Sequence, residues 1–158
     1  MAVILIVDAD TSLLSTLGLF IAAEGYVVRT ATNGADALNL ARASRPDVLV
    51  TDTRTPGIAG PDLVREMRKD PVLSTVPVIL TYNGALPPRV RVYRFLRKPL
   101  RYAKLLKILR RAERVCAKQR VRERPANWRL GRRASQYDLQ RELQHDPRHD
   151  LKHEPKPG

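Results

Sequence analysis

Short apolar runs alternate with segments of mixed polarity along roughly the first hundred residues. The runs are rich in β-branched residues and stay apolar at consecutive positions, which is typical of parallel strands covered by helices on both faces. Five strands are predicted in this way, over residues 2–7, 26–31, 48–52, 76–82 and 92–96.

Three helices are predicted between these strands, over residues 11–24, 34–44 and 61–69. Gly25 follows the first helix, Pro46 lies just beyond the second, and Pro61 stands in the first turn of the third, where proline is tolerated. Regular alternation of strands and helices predicts a doubly wound α/β fold with a parallel sheet.

The segment between the fourth and fifth strands is unusual. Residues 83–91 include Pro87 and Pro88, which disfavour a helix. A nine-residue segment reaches at most about 30 Å, whereas returning along a five-residue strand requires about 17 Å, so an extended crossover suffices. We therefore expect the helix at this point to be shortened or missing. We also expect part of the sheet to be poorly covered there, leaving an apolar surface for a partner or a second copy of the chain.

A last helix is predicted from the residues after Pro99 to about Lys118. Apolar side chains recur on it at steps of three and four, namely Tyr102, Leu105, Leu109, Ala112 and Cys116. Basic side chains line the opposite side, namely Lys104, Lys107, Arg111, Arg114 and Lys118. We expect one face of this helix to pack on the sheet and the other to be positively charged.

Positive charge is concentrated towards the C-terminus. Residues 1–98 hold 12 Lys and Arg against 9 Asp and Glu, whereas residues 99–158 hold 17 against 7. The basic helix and the tail would bind nucleic acid through its phosphates, or the tail would simply be a solvated charged segment. Residues 119–158 lack the apolar density of a core, so we expect a basic and largely disordered tail after a domain over residues 1–118.

Two features bear on the cellular compartment. The single cysteine, Cys116, cannot form an internal disulfide. The apolar run at residues 2–7 meets Asp8 directly and is too short for a signal peptide or a membrane span. These observations predict a cytoplasmic protein with no membrane partner.

Polar side chains follow the predicted strands at their carboxyl ends. They are Asp8 and Asp10 after the first strand, Asp52 at the end of the third, Thr81 near the end of the fourth and Lys98 after the fifth. Ligands of open α/β sheets gather at this edge. Carboxylates suit Mg²⁺, and a lysine with a hydroxyl suits a phosphoryl group. The pattern predicts phosphoryl transfer to an aspartate.

Four motifs occur in a recognisable order. Asp8 follows the first strand, VTDTRTPGIAG surrounds Asp52, VILT ends at Thr81, and FLRKP contains Lys98. Together they resemble the receiver domain of two-component response regulators, over residues 1 to about 118. The resemblance implies a flavodoxin-like sheet with strand order 2-1-3-4-5.

The resemblance also implies a role for particular side chains. Asp52 would be the phosphoacceptor and Lys98 the lysine that pairs with the phosphoryl group. Thr81 would be the switch hydroxyl, and Phe95 the aromatic residue that changes rotamer on activation. The partners implied are a histidine kinase or phosphotransfer protein, a downstream protein and a second copy of the chain in a homodimer.

Mg²⁺ is the cofactor that the resemblance implies, held by Asp8, Asp52 and the main-chain carbonyl of Arg54. Members of this family normally carry two adjacent acids after the first strand, and Ala9 occupies the second place. We expect weakened Mg²⁺ binding unless Asp10 substitutes for the missing ligand. Asp10 fits a different role better, as the N-cap of the first helix.

Two further side chains bear on the pocket. Tyr82 follows the switch hydroxyl at a position that is usually small, and its bulk should slow phosphoryl transfer. The guanidinium of Arg54 is a candidate to lie beside Asp52 and partly replace the metal.

Two functions stay open at this point. The first is a receiver that accepts a phosphoryl group on Asp52 and signals through a protein partner. The second is a degenerate pseudo-receiver that binds protein or nucleic acid without phosphorylation. An enzyme of metabolism is not expected, because the chain has no glycine-rich phosphate loop or cofactor fingerprint.

Overall fold

The computed structural model describes residues 1–123 of the 158-residue chain. The predicted tail therefore lies, from residue 124 onward, outside the described residues. The elements in chain order are β1 (Val3–Val7), α1 (Thr11–Ala23), β2 (Val27–Ala31), α2 (Gly34–Ala43), β3 (Val48–Asp52), α3 (Gly60–Lys69), β4 (Val78–Tyr82), β5 (Arg94–Arg97) and α4 (Tyr102–Glu123).

The five strands form one parallel sheet in the order β2-β1-β3-β4-β5. This confirms the doubly wound, flavodoxin-like fold. The register brings the carboxyl ends of the central strands level: Val7 pairs with Thr51, and Asp52 pairs with Thr81. Polar residues that end different strands are thereby placed side by side.

Side chains of β1 alternate between two cores. Ile4 and Ile6 pack in the core under α1 and α4, whereas Leu5 and Val7 pack in the core under α2 and α3. All four are at most 2% exposed. Alternation along a strand buried on both faces explains why β1 reads as an unbroken apolar run.

Helix starts follow the capping residues in the sequence. The carboxylate of Asp10 accepts the N–H of Leu13 at 3.0 Å, which confirms that Asp10 is the N-cap of α1. Asn33 caps α2 by accepting the N–H of Asp36 at 2.8 Å. With these caps, the first three helices begin and end within one residue of the predicted bounds.

The last helix is longer than predicted. It continues past Lys118 to Glu123, the last residue that the structure describes, and no glycine or proline interrupts residues 119–123. In the added turn, Arg120 forms an ion pair with Asp47 at 2.9 Å. Across residues 1–123, no helix combines the length and the apolar character needed to cross a membrane.

The connection between β4 and β5 contains no helix, as predicted; residues 83–93 form bends and extended chain. The expectation of a poorly covered sheet beside it is wrong. Residues 78–80 of β4 are fully buried, and Val90 and Val92 of the crossover pack against the core under α2 and α3. Alternate valines of an extended segment thus cover the sheet in place of a helix.

Arg68 fixes this crossover to the end of α3. Its guanidinium donates to the carbonyl of Arg91 and to those of Leu73, Ser74 and Val76 at 2.9–3.4 Å. Burial, together with the nearby charge of Arg91, lowers the pKa of Arg68 below its ordinary value. The guanidinium of Arg68 thus hydrogen-bonds to main-chain carbonyls of two loops and holds those loops together.

Candidate functional site

Four of the predicted residues meet at the carboxyl edge of the sheet. The ammonium of Lys98 lies 2.6 Å from Oδ2 of Asp8 and 3.1 Å from Oδ1 of Asp52. These side chains are only 8–16% exposed. Lys98, the residue directly after β5, therefore bridges the ends of β1 and β3.

The electrostatics of Lys98 follow from this bridge. Burial acts to lower the pKa of its ammonium, but hydrogen bonds and charge from Asp8 and Asp52 outweigh burial, and the pKa is raised above its ordinary value. Lys98 is thus firmly protonated. Two carboxylates share this single cation, so the three groups together carry a net negative charge.

The carboxylate of Asp52 has a further donor on each oxygen. The hydroxyl of Thr81 lies 3.3 Å from Oδ1, and the main-chain N–H of Arg54 donates to Oδ2 at 3.1 Å. Thr81 is also 3.4 Å from the carbonyl of Thr51, so its hydroxyl is shared between two acceptors. The hydroxyl of Thr81 therefore lies beside the same oxygen of Asp52 that also meets Lys98.

Asp8 has donors on both of its oxygens. Oδ1 accepts the N–H of Asp10 at 2.9 Å, which shapes the turn into α1, while Oδ2 meets Lys98. Asp10 itself is exposed and turns its carboxylate towards the start of α1. The second acid after β1 is therefore engaged as a cap.

Comparison with known proteins identifies the family. The family model of the response regulator receiver domain matches residues 4–110. The chain belongs to this family. Its membership places the chain in two-component signalling.

Relatives and solved structures agree with this assignment. The chain is 38% identical over 103 residues to the transcriptional regulatory protein GlrR of Escherichia coli, a match that covers 61% of this chain and 23% of GlrR. It is 39% identical over 80 residues to protein PilH of Pseudomonas aeruginosa, which covers 51% of this chain and 66% of PilH. The chain thus spans less than a quarter of GlrR and about two thirds of PilH.

A crystal structure of a receiver domain from a Pseudomonas aeruginosa sensor histidine kinase has a magnesium ion coordinated in its active-site cleft. It superposes on this chain with a TM-score of 0.67 and 26% identity, covering 71% of this chain and 97% of that domain. Magnesium binding therefore occurs in the family.

The donor set of this receiver domain can be compared with the needs of that ion. Among residues 1–123, no group of three or more His, Cys, Asp and Glu side chains could hold a metal. Mg²⁺ requires only one or two carboxylates when waters and a phosphate complete its shell. Asp8 and Asp52 fit such a site, with the ammonium of Lys98 as a competitor for their oxygens.

Among residues 1–123, no other predicted side chain forms a hydrogen bond or ion pair with the side chains of Asp8, Asp52 or Lys98, although the main-chain N–H of Arg54 donates to Asp52. Arg54 has an exposed side chain that makes no hydrogen bond or ion pair with any described residue, so its guanidinium does not replace a metal at Asp52. Lys98 supplies the cation there. Phe95 and Tyr82 are half-buried on β5 and β4, and Tyr82 is paired in register with Arg97.

Sequence reasoning missed two residues that shape the site. The hydroxyl and the N–H of Thr53 both donate to the carbonyl of Thr81, at 2.7 and 2.9 Å, and tie the ends of β3 and β4 together. Gly60 lies so close to the carbonyl of Asp52 that a Cβ would collide with it. The glycine-containing stretch after Asp52 carried this signal, because a main chain that passes another closely requires glycine.

Proposed function

We propose that this receiver domain accepts a phosphoryl group on Asp52 from the phosphohistidine of a histidine kinase or phosphotransfer protein, and signals through a downstream protein partner. The observation that carries the proposal is the contact of Asp52 with both Lys98 and Thr81, at 3.1 and 3.3 Å. Phosphoryl transfer uses a nucleophile and a cation that offsets charge on the phosphoryl oxygens, and a hydroxyl beside them adds a hydrogen-bond donor.

The reaction is an in-line displacement. A carboxylate oxygen of Asp52 attacks phosphorus, the bond from phosphorus to the histidine nitrogen breaks, and its electron pair stays on that nitrogen. Lys98 offsets negative charge on the phosphoryl oxygens, which is a large part of catalysis for this class of reaction. In exchange, its contact with Asp8 or Asp52 loosens.

Asp8, Asp52 and the main-chain carbonyl of Arg54 would hold Mg²⁺ in this pocket. The ion supplies positive charge to the phosphoryl oxygens. Because Ala9 provides no carboxylate and Asp10 caps α1, we propose that affinity for the ion is low and that phosphorylation depends steeply on its concentration.

The output follows from the position of Thr81. Its hydroxyl would donate to a phosphoryl oxygen on Asp52 and leave the carbonyl of Thr51. Thr81 is two residues before the crossover at 83–93, so a shift of its side chain would pull on that segment. In this protein the moving part would be an extended loop rather than a helix, with exposed Leu86 as an apolar contact for the partner.

The experiment is incubation with a small-molecule phosphodonor and Mg²⁺, followed by intact mass. Wild type should gain one phosphoryl group and Asp52→Asn none. Gain in Asp52→Asn at the wild-type level would show that another residue is modified and would contradict the proposal.

A second candidate, the pseudo-receiver that signals by binding alone, is favoured by one observation: Ala9 removes a metal ligand while Lys98 already bridges both acids. Ala9→Asp separates the two candidates. If wild type gains nothing at high Mg²⁺ and Ala9→Asp gains one group, the binding module is correct and the switch is not.

A further inference from the structure

Five basic side chains form a line along the outer face of α4. They are Lys104, Lys107, Arg111, Arg114 and Lys118, all exposed, and we call them the cationic stripe. Their spacing alternates between three and four residues, so they stay on one face of the helix. Lys104 and Lys118 are 14 positions apart, which corresponds to about 21 Å along the helix.

The stripe differs from the other basic residues of α4. Arg110 forms an ion pair with Glu24 at 2.9 Å, and Arg120 forms one with Asp47 at 2.9 Å. No residue of the stripe makes a hydrogen bond or ion pair with any described residue. Of the two acids in the described part of α4, Glu113 accepts the hydroxyl of Tyr26 at 3.0 Å, and Glu123 is the last residue that the structure describes.

Like charges therefore lie next to one another along the stripe. Lys107 and Arg111 are four residues apart, as are Arg114 and Lys118, and pairs of equal charge at this spacing repel. The helix is held in place by its opposite face, where Leu105, Leu109, Ala112 and Cys116 are fully buried. The fold thus holds a row of positive charge in a rigid line, and no described acid is paired with it.

We propose that the cationic stripe binds the phosphate backbone of double-stranded nucleic acid, without reading its sequence. A duplex carries one negative charge per 1.7 Å, so a stripe of about 21 Å lies along about 6 base pairs. Lysine and arginine contacts to phosphates set position and affinity but carry no sequence information. Charge complementarity between two regular, linear arrays carries the proposal.

Other occupants fit the stripe less well. A helix that lies on a membrane inserts a continuous exposed apolar face, whereas the leucines and Ile108 of α4 are buried and its exposed large apolar side chains are the two valines Val115 and Val121. A second copy of the chain would oppose five cations with five cations, which disfavours association through this face. The inference does not rest on phosphorylation of Asp52.

The test measures binding of the full chain to a fluorescent duplex of about 20 base pairs at several salt concentrations. With five phosphate contacts, the slope of log affinity against log salt should be about −4.5 or steeper, a loss of about 500-fold between 50 and 200 mM salt. The triple variant K107Q/R111Q/R114Q should reduce the magnitude of the slope by about 2.7. Glutamine preserves helix propensity, so circular dichroism should be unchanged.

Two matched controls locate the surface. R65Q/K69Q/R89Q removes the same charge from exposed positions on α3 and the crossover, and R132Q/R133Q/R141Q removes it from the tail beyond the described residues. Both should change the slope far less than the α4 variant. An equal reduction in either control would overturn the proposal, because binding would then follow total charge or the tail.

Competition distinguishes the class of partner. Unlabelled duplex should displace the probe, while phosphatidylserine vesicles and polyglutamate at equal charge should displace it poorly. Equal displacement by vesicles would assign the stripe to a membrane surface, and equal displacement by polyglutamate to an acidic protein. Either result, or no duplex binding by wild type at 50 mM salt, would overturn the proposal.

Discussion

The two edges of the parallel sheet both contain buried acids, but their charges balance differently. At the carboxyl edge, Asp8 and Asp52 share the single ammonium of Lys98. At the amino edge, Asp47 accepts the N–H of Val3 at 2.7 Å and pairs with Arg120 at 2.9 Å. At the first edge two described acids share one cation, whereas at the second Asp47 has both a main-chain donor and a guanidinium of its own.

The surroundings of Asp47 extend this difference. Arg45 donates to the carbonyl of Val72 and to the hydroxyl of Thr75, so a second guanidinium is fixed at the amino edge. Cys116 of α4 lies between the side chains of Arg45 and Asp47, at 3.8 and 3.9 Å. At the carboxyl edge two described acids thus share one cation, while at the amino edge Asp47 and Arg120 anchor α4 to the sheet.

The largest expected effect comes from removing the shared cation. Lys98→Met should slow phosphorylation of Asp52 by about 100- to 1000-fold, because a preorganised positive group at the transferring phosphoryl is lost. Single-turnover phosphorylation, followed by intact mass, measures the rate. Lys69→Met removes an exposed lysine that pairs with Glu66 on α3, away from the pocket, and should leave the rate unchanged. A Lys98→Met rate within threefold of wild type would refute this role for Lys98.

At the other edge, the effect should fall on stability alone. Asp47→Ala leaves the N–H of Val3 without its acceptor and should lower the free energy of unfolding by about 1–3 kcal/mol, measured by urea denaturation. Asp47→Asn keeps an acceptor for this N–H and should lower the free energy of unfolding by less. Asp62→Ala, which breaks an exposed pair with Arg65, should cost under about 1 kcal/mol.

The outcome for phosphorylation distinguishes the two edges. Folded Asp47→Ala protein should be phosphorylated at the wild-type rate, since nothing in the pocket contacts this residue. Slower phosphorylation of fully folded Asp47→Ala protein would mean that the two edges are coupled through the sheet. The division into a structural edge and a functional edge would then be wrong.

Ala9→Asp sharpens the comparison by adding a third acid to the edge that already has too few cations. It should tighten Mg²⁺ binding by about tenfold or more, which is about 1.4 kcal/mol or more, as measured by calorimetric titration. Without the ion, extra like charge near Asp8 and Asp52 should lower the melting temperature. Asp10→Asn is the control, because it keeps an acceptor for the N-cap of α1. If Asp10→Asn lowered the affinity for Mg²⁺ as much as Ala9→Asp raised it, Asp10 would be a ligand of the ion.

The carboxyl edge could be predicted from the sequence because its residues stand at strand ends, which short sequence patterns reveal. Asp8 directly follows β1, Asp52 ends β3 and Thr81 is the last residue but one of β4, and parallel strands bring their carboxyl ends together. The N-cap role of Asp10 followed from the apolar helix after it. What local patterns could not give is the choice of partner: Lys98, and not Arg54, lies beside Asp52, because β5 places it there across the sheet.

The amino edge and the crossover could not be predicted in this way. The partners of Asp47 are 44, 69 and 73 residues distant in the chain, at Val3, Cys116 and Arg120, and no motif links them. The crossover was expected to leave part of the sheet uncovered, on the assumption that only a helix would pack against the sheet there. Val90 and Val92 show that an extended segment with alternate apolar residues covers a strand equally well.

The smallest expected effect is a difference in how the two edges respond to alkali. At the amino edge, burial raises the pKa of the Cys116 thiol above its ordinary value of 9.0. At the carboxyl edge, the acids raise the pKa of Lys98 above its ordinary value of 10.5, despite burial. In both cases the folded state holds its proton more tightly than the unfolded state does. The stability that results is complete below the ordinary pKa and is lost as pH rises through the folded value.

The amino edge should therefore weaken first as pH rises past about 9, and the carboxyl edge only past about 10.5. Urea denaturation of wild type, Cys116→Ala and Lys98→Met, followed from below pH 9 to well above pH 10.5, measures the order in which the two edges lose stability. Cys116→Ala should reduce the loss of unfolding free energy that begins near pH 9. Lys98→Met should reduce only the loss that begins at higher pH. If Lys98→Met removed the earlier decline as well, the ammonium would be losing its proton below its ordinary pKa, and the two acids would not be sharing a firmly held cation.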